Sequence, residues 1–220
     1  MNAQVGSGTT IGDHTDINSN CVIGNNARIG SHCSVGSGNR IHDNVHIGDH
    51  VTIRENNEIA VNSELKDHVE LGSGIKIGSN TRVIDHSTID NFVIIGNECI
   101  VEQHSSVGAN ANVGPSVYCG RHSSIGSQAI IGGSAVILHH AKVPNGRRVN
   151  SNEVIIRTPT SAALYANCLP LGSIPQNECV TLSSNVVRPN HFLFVQFQCC
   201  SCVTIFLLIR GVTRGECIFK

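Results

Sequence analysis

An aliphatic residue recurs at every sixth position from Val5 to Ile155 without a gap. The series contains 26 positions, and only one of them, Cys119, is not isoleucine, leucine or valine. Amphipathic helices repeat their apolar residues about every 3.6 positions and half-buried strands about every 2, so neither element explains a strict period of six. A repeat of fixed length indicates a solenoid, in which each unit buries its apolar side chains only by stacking on its neighbours.

Two further positions of the hexad support a narrow, dry interior. Two residues before the aliphatic, alanine, serine, threonine, cysteine or valine occupies 21 of the 26 places, which fits a prism too narrow for larger groups. Three residues after the aliphatic we expect a tight corner with positive φ, a conformation that asparagine and glycine tolerate. The residues at this position include Asn26, Asn44, Asn62, Asn80, Gly38, Gly74 and Gly146. Three hexads then close one triangular coil of 18 residues.

The glycines of the hexad carry a resemblance to a known family. Fourteen of the 26 aliphatics are followed directly by glycine, as in Ile11-Gly12, Ile47-Gly48 and Ile77-Gly78. The chain therefore resembles the hexapeptide-repeat proteins, whose [Ile/Leu/Val]-Gly-x4 motif it carries over about 150 residues. The resemblance implies an all-β fold, a left-handed parallel β-helix of about nine 18-residue coils within residues 1–157. Residues 158–220 form a separate segment without the repeat.

The charge balance excludes two classes of partner. The formal net charge is −1 and only 14% of the residues are charged, so we expect no nucleic-acid partner and no attraction to an anionic membrane. The first residues, MNAQVGSGTT, are polar and small, unlike those of a secretory signal. We therefore expect a cytoplasmic protein whose ten cysteines are reduced.

The acyltransferases of this repeat family provide the first functional hypothesis. Ile41-His42-Asp43-Asn44-Val45-His46-Ile47-Gly48 is similar to the His-Asp-Cys-x-Val-Gly segment that carries the catalytic histidine in several sugar acyltransferases, with one extra residue between His42 and the aliphatic. The resemblance implies transfer of an acyl group from a thioester, such as an acyl-CoA, to a small hydroxyl or amine. It also implies a homotrimer with the site at the seam between protomers and with His42 or His46 as general base. The alternative is that both histidines are solvated side chains beside the corner at Asn44.

The end of the repeat resembles a second family, the γ-class carbonic anhydrases. Val143-Pro144-Asn145-Gly146-Arg147-Arg148-Val149 is similar to the Pro-x-Gly-Arg turn that closes the prism in that family. Ile53-Arg54-Glu55-Asn56 is similar to its Ile-Arg-x-Asp segment, with Asn56 in place of the aspartate, which makes Arg54 a candidate site residue. The zinc ligands of that family include a His-x4-His pair, and no two histidines of this chain have that spacing.

Histidine recurs every 18 residues, at one corner of the predicted coils. The eight positions are His14, His32, His50, His68, His86, His104, His122 and His140. Aspartate precedes four of them, as Asp13, Asp49, Asp67 and Asp85. Imidazoles one strand spacing apart suit a divalent metal ion or a joint titration, and the candidate metal ligands are His50, His68, His86 and His104. The alternative is that histidine tolerates this solvated corner and was copied with the 18-residue unit.

The composition changes abruptly after Thr158. Residues 159–220 hold six of the ten cysteines and five of the six phenylalanines, but only three of the 22 glycines. We expect a short helix over 159–166, because proline at position 159 suits the first turn of a helix.

Two short strands are predicted further along this segment, Phe192–Phe197 and Val203–Ile209, joined by a turn that contains Cys199, Cys200 and Cys202. This hairpin has two possible roles. It either covers the open end of the prism, or it is a weakly ordered extension. The uncharged run 191–209 has sufficient length to cross a bilayer. Its glutamine, serine and threonine side chains favour a soluble chain instead.

Three functions are compatible with these patterns, and the first of them leads, because acyl transfer dominates among proteins of the hexapeptide-repeat fold that the chain resembles. They are a hexapeptide-type acyltransferase, a non-catalytic scaffold or assembly prism, and a γ-carbonic-anhydrase-like protein with an incomplete zinc ligand set. The acyltransferases commonly interrupt the repeat with a loop that forms a wall of the site, whereas this repeat runs from Val5 to Ile155 uninterrupted, which favours the scaffold. The repeat itself specifies fold far better than function.

Overall fold

The computed structural model describes residues 3–156 and three later strands of the 220-residue chain. Residues 3–156 contain 26 strands of two residues each, arranged in three parallel sheets. Sheet A contains β1 Gln4–Val5, β4 Val22–Ile23, β7 Arg40–Ile41, β10 Glu58–Ile59, β13 Lys76–Ile77, β16 Ile94–Ile95, β19 Asn112–Val113, β22 Ile130–Ile131 and β25 Arg148–Val149. Sheet B contains β2 Thr10–Ile11, β5 Arg28–Ile29, β8 His46–Ile47, β11 Glu64–Leu65, β14 Arg82–Val83, β17 Ile100–Val101, β20 Tyr118–Cys119, β23 Val136–Ile137 and β26 Val154–Ile155. Sheet C contains β3 Asp16–Ile17, β6 Ser34–Val35, β9 Thr52–Ile53, β12 Glu70–Leu71, β15 Thr88–Ile89, β18 Ser106–Val107, β21 Ser124–Ile125 and β24 Lys142–Val143.

Each strand pairs in parallel with the strand three places later in the chain, at a register of 18 residues. Ile41 lies opposite Ile59 in sheet A, and Ile47 lies opposite Leu65 in sheet B. Sheets of nine, nine and eight strands correspond to more than eight full coils, in agreement with the predicted number. The fold is the all-β, left-handed parallel β-helix that the sequence predicts.

The predicted aliphatic column forms the core. Ile47 is 0% exposed and Ile77 is 2% exposed, and the small residues two positions earlier in each hexad share the same interior. Asn39 and Asn57 are exceptions in this second column, yet both are buried, because their side chains bond to backbone groups of neighbouring coils. Ile75 is also fully buried there, so the interior accepts more than the small side chains that the sequence predicts.

The corners have the predicted backbone conformation. All the asparagines and glycines expected there have positive φ, as have all eight repeated histidines, for example Asn62 at 59° and His68 at 57°. Even Phe92 adopts this conformation, with φ of 58° and a side chain that is 62% exposed. Side-chain size is therefore hardly restricted at a corner, whereas backbone conformation is fixed.

The two ends of the prism differ. At the amino-terminal end, Val5 is 50% exposed and Ile11 is 42% exposed. In the last coil the inner column contains Arg147 and Glu153, whose Nη2 and Oε1 lie 3.2 Å apart. The carboxylate of Glu153, which is 8% exposed, also accepts the backbone N–H of Asn150 at 2.8 Å. A polar pair therefore takes the place of apolar side chains where the repeat ends.

Beyond the prism the structure describes β27 Thr181–Ser183, β28 Phe192–Gln198 and β29 Thr204–Arg210. The last two strands pair antiparallel, with Phe192 opposite Arg210, and their bounds differ by one residue from those expected for the hairpin. The expected helix over 159–166 and the turn with the three cysteines lie outside the described residues. No helix long and apolar enough to cross a membrane occurs in the described parts of the chain.

Candidate functional site

His42 forms the one histidine–carboxylate contact of hydrogen-bond length in residues 3–156. It follows β7 on sheet A, and its Nε2 lies 3.3 Å from Oε1 of Glu58 on the next strand of the sheet, β10. The two side chains are 37% and 43% exposed, so solvent and small molecules reach both. Because a carboxylate only accepts, the contact favours, for a neutral imidazole, the tautomer with its proton on Nε2 and with Nδ1 as the acceptor.

The positions on sheet A that correspond to His42 in the neighbouring coils have small side chains or none. The residue directly after each aliphatic of this sheet is Gly24 in the preceding coil, His42, Ala60 in the next coil and Gly78 in the one after. A Cβ at Gly24 would come within 2.6 Å of the backbone nitrogen of Asp43, so the tight stacking of coils requires glycine there. His42 is therefore the one large side chain at this position in the four consecutive coils, and it is flanked by Gly24 and Ala60.

The charges around Glu58 are balanced. In the outward column of sheet A, Glu58 lies between Arg40 on the preceding strand and Lys76 on the following one. Alternating charges on neighbouring parallel strands stabilise one another modestly. The carboxylate that orients His42 thus has cationic neighbours on both sides along the column.

His46 occupies a different surface and a different environment. It lies on β8 in sheet B, with Nδ1 4.0 Å from Oε1 of Glu64. Glu64 also bonds Lys66, and its Oε2 accepts from Nε of Arg82 at 3.0 Å. The hydrogen bond from Lys66 is the largest cause that holds the pKa of Glu64 below its ordinary value, with Arg82 adding to it. Glu64 is therefore already engaged, and it orients His46 less than Glu58 orients His42.

Arg54 lies on the third side of the prism. It follows β9 in sheet C, beside a shallow depression that is also lined by Thr52, Glu70, Thr88 and Asp90. His42, His46 and Arg54 belong to one coil, but each stands on a different sheet. A single protomer therefore does not bring the three sequence-predicted residues together.

The repeated histidines form a continuous stack along the corner between sheets B and C. The centroids of neighbouring rings are 4.7–5.0 Å apart, and the interplanar angles range from 3° to 26°. We call this stack the histidine ladder; its rungs are His14, His32, His50, His68, His86, His104, His122 and His140. Stacked rings direct their nitrogens side by side, and within residues 3–156 no group of three or more His, Cys, Asp or Glu side chains is placed to hold a metal ion.

A second ladder, which the sequence reasoning did not recognise, accompanies the histidines. Oδ1 of Asp49 accepts the backbone N–H of Ser31 at 2.6 Å, Oδ1 of Asp67 accepts that of Asp49 at 2.9 Å, and Oδ1 of Asp85 accepts that of Asp67 at 3.2 Å. Asparagine at the same hexad position of the other two corners makes the same bond, as Asn91 after sheet C and Asn97 after sheet A do. The signal was present in the 18-residue spacing of the aspartates, because equal spacing places them in one column.

The cysteines of the prism are poor candidates for chemistry. Cys21, Cys33, Cys99 and Cys119 are buried and unpaired with each other. Burial raises the pKa of the Cys33 and Cys99 thiols and raises that of Cys119 to about 12. Since the thiolate is the nucleophile and the metal ligand, these side chains act as small apolar residues of the core.

Comparisons with known proteins identify the same repeat and the same fold. The family described as bacterial transferase hexapeptide (six repeats) matches residues 2–37. The chain is similar to the structure of the UDP-N-acetylglucosamine O-acyltransferase of Moraxella catarrhalis RH4, at 23% identity and a TM-score of 0.50, over 70% of this chain and 65% of that chain. It is also similar to a UDP-N-acetylglucosamine acyltransferase from Bacteroides fragilis 9343, at 14% identity and a TM-score of 0.57, over 76% of this chain and 77% of that chain. No curated protein matches the sequence.

The chain thus spans 65% of the length of the Moraxella catarrhalis enzyme. At these identities the similarity shows a shared β-helix built from hexapeptide repeats. Proteins with similar folds have different functions, so the activity depends on the residues of the candidate site around His42.

Proposed function

We propose that the protein transfers an acyl group from a thioester, such as an acyl-CoA, to the hydroxyl or amine of a small molecule, with His42 as general base. The observation that carries the proposal is the 3.3 Å contact between Nε2 of His42 and Oε1 of Glu58. A general base must be accessible and is most effective when another group fixes its tautomer. His42 meets both conditions, whereas His46 meets only the first.

The proposed reaction follows from the protonation state of this pair. Nδ1 of His42 removes the proton of the acceptor as its oxygen or nitrogen attacks the thioester carbonyl. The tetrahedral intermediate then expels the thiolate, which takes the proton from the imidazolium. Glu58 stabilises the imidazolium between the two steps, as an orienting carboxylate does in other histidine-dependent acyl transfers.

The second wall of the site is proposed to come from a neighbouring protomer of a homotrimer. His42 and Arg54 lie in one coil, on sheets A and C, and therefore at about the same height along the prism. Rotation about an axis parallel to the prism preserves height, so sheet A of one protomer packed on sheet C of the next would place Arg54 opposite His42. A guanidinium there would bind a phosphate of the donor or stabilise the developing oxyanion.

We also propose that the protein is cytoplasmic. The function is tested by an acyl-transfer assay on the full chain, in a buffer of cytoplasmic pH and ionic strength. Acetyl-CoA is offered with a panel of monosaccharides, amino acids and amines, and both thiol release and product mass are measured. His42→Ala should lower kcat by about 10²–10⁴, the usual contribution of a general base. His46→Ala is the matched control, and its kcat should stay within about twofold, because His46 has no such oriented contact.

The trimer is tested separately by light scattering. A mass of three protomers at micromolar concentration is expected. A monomeric mass would remove Arg54 from the site but would leave His42 and Glu58 to be tested by the assay.

One observation favours a second candidate function, the non-catalytic scaffold. Every coil between Val5 and Ile155 keeps the same short strands, without an inserted loop that would enclose a substrate. A scaffold would form the same assembly, yet would release no thiol from acetyl-CoA with any acceptor. Absence of both turnover and acetyl-CoA binding would therefore favour the scaffold over the acyltransferase.

A further inference from the structure

Two groups of three consecutive rungs, called here the two halves of the histidine ladder, differ in the residues beside them; the other two rungs, His14 and His32, follow Asp13 and Ser31. His50, His68 and His86 directly follow Asp49, Asp67 and Asp85. The three rungs toward the carboxyl end directly follow other types instead, namely Gln103 before His104, Arg121 before His122 and His139 before His140. One half of the same regular stack is thus flanked by carboxylates, and the other by neutral or cationic side chains.

Each carboxylate in the first half has an oxygen left for a ligand. Oδ1 of Asp67 and Oδ1 of Asp85 accept backbone N–H groups of the preceding coil. Among the described residues, no hydrogen bond is made by the second oxygen of either side chain. The aspartates and histidines of this half are solvent-accessible, and the cation nearest in sequence, Lys66, is engaged by Glu64. Imidazole nitrogen and carboxylate oxygen together form a donor set that suits divalent transition metals.

The stacked rings must turn to share an ion. Metal–nitrogen bonds of about 2.0–2.1 Å bring two nitrogens on one ion to within about 4.2 Å of each other. The centroids of His68 and His86 are 4.7 Å apart, the shortest spacing in the ladder. The planes of His50 and His68 already differ by 20°, and those of His86 and His104 by 26°. Because the rungs are exposed, turning two rings costs their stacking and little else.

We propose that the carboxylate-flanked half of the ladder binds a divalent transition-metal ion such as Ni²⁺ or Zn²⁺. Two neighbouring imidazoles among His50, His68 and His86 supply nitrogen ligands, and a carboxylate of Asp67 or Asp85 supplies oxygen or a favourable charge. Water completes the coordination. In the other half Gln103, Arg121 and His139 occupy the positions of the aspartates, and the nearby carboxylate of Glu102 is paired with Arg121, Oε2 to Nε at 3.6 Å.

The decisive experiment compares the two halves within one fold. Ni²⁺ is titrated into the full chain with a non-thiol reductant present, by calorimetry and by the broadening of assigned imidazole NMR signals. The triple variant H50N/H68N/H86N should lose Ni²⁺ affinity at least about tenfold, whereas H104N/H122N/H140N should change it by less than about twofold. Asparagine is the replacement because it already occupies corners with the same positive φ, such as Asn62 and Asn80.

A second variant isolates the carboxylates. D67N/D85N keeps the bond to the backbone, as Asn91 and Asn97 do at the same hexad position of the other two corners, but removes two negative charges. It should weaken Ni²⁺ binding by about tenfold without changing the melting temperature of the metal-free protein. The proposal fails if millimolar Ni²⁺ does not bind, if both halves of the ladder broaden equally, or if binding survives H50N/H68N/H86N. The last result would assign the metal to another part of the chain, such as its later cysteines.

Discussion

The aliphatic column of sheet B and the histidine ladder beside it repeat with equal strictness, yet they differ in what the repetition means. Ile47 is 0% exposed, whereas His50, three residues later at the corner, is exposed. A dry interior favours apolar side chains of suitable volume wherever no backbone group is free to bond a polar one, so packing alone explains the aliphatic series. The corner fixes φ and little else, since Phe92 occupies an equivalent corner with the same φ. The sequence period therefore predicts where a residue lies in the coil. The burial of its side chain then shows whether the residue is kept for core packing or is free to bind a ligand.

The largest effect is expected from a charge placed in the aliphatic column. Ile47→Asp should destabilise the protein by at least about 4 kcal/mol or prevent folding, because a carboxylate in this interior has no partner. Ser106→Asp, on the outer surface of sheet C, is the matched control and should cost less than about 1 kcal/mol. Circular dichroism melts measure both. A parental melt for Ile47→Asp would mean that the column does not face inward.

The next effect concerns the polar end of the interior. Glu153→Ala should cost about 2–3 kcal/mol, because it leaves Arg147 and the N–H of Asn150 without their buried acceptor. Glu98→Ala, at an exposed corner, should cost less than about 0.5 kcal/mol. Denaturant titration gives both values of the free energy of unfolding.

The polar pair also predicts the effect of removing the later strands. If the pair closes the prism, truncation after Arg157 should leave the melting temperature unchanged. Aggregation of the truncated chain would instead show that the later strands are needed as a cap.

A smaller effect is expected at the corners themselves. Asn62→Val should cost about 1–2 kcal/mol, because a β-branched residue is forced to positive φ. Asn62→His should cost far less, since histidine holds the same conformation at eight other corners of the chain. Equal losses for the two variants in thermal unfolding would show that the corner selects by something other than backbone conformation.

The smallest effect is expected within the ladder. His68→Asn should change the free energy of unfolding by less than about 0.5 kcal/mol in the absence of metal, because it removes exposed ring contacts and keeps φ. A loss as large as that of Asn62→Val would mean that ring stacking stabilises the prism, and the ladder would then have a structural purpose.

The fold could be predicted from the sequence because each constraint is local to the hexad. The inner aliphatic, the small residue before it and the corner after it recur at fixed offsets, which predicts stacked coils, whereas the left hand of the helix was implied by the resemblance to hexapeptide-repeat proteins. The buried polar residues that depart from this pattern could be explained only from the structure. Asn39 and Asn57 are buried because they bond to backbone groups 15 to 18 residues away, which no local pattern reveals.

The candidate site was predicted less completely, for a related reason. His42 is a candidate because its segment is similar to the one that carries the catalytic histidine in sugar acyltransferases. Its partner Glu58 is 16 residues away and belongs to no motif. Arranging the sequence in coils of 18 would have placed the two on neighbouring strands, so the information was present only once the coil was known. Sequence similarity alone did not separate His42 from His46; the carboxylate contact does.

The measurement that tests the central claim most directly is a double-mutant cycle on His42 and Glu58 in the acetyl-CoA transfer assay. If Glu58 acts by orienting His42, Glu58→Gln should lower kcat by about tenfold or more, and the double variant should be no slower than His42→Ala alone. Losses that multiply would show that the two residues act independently. Unchanged turnover in His42→Ala would contradict the account.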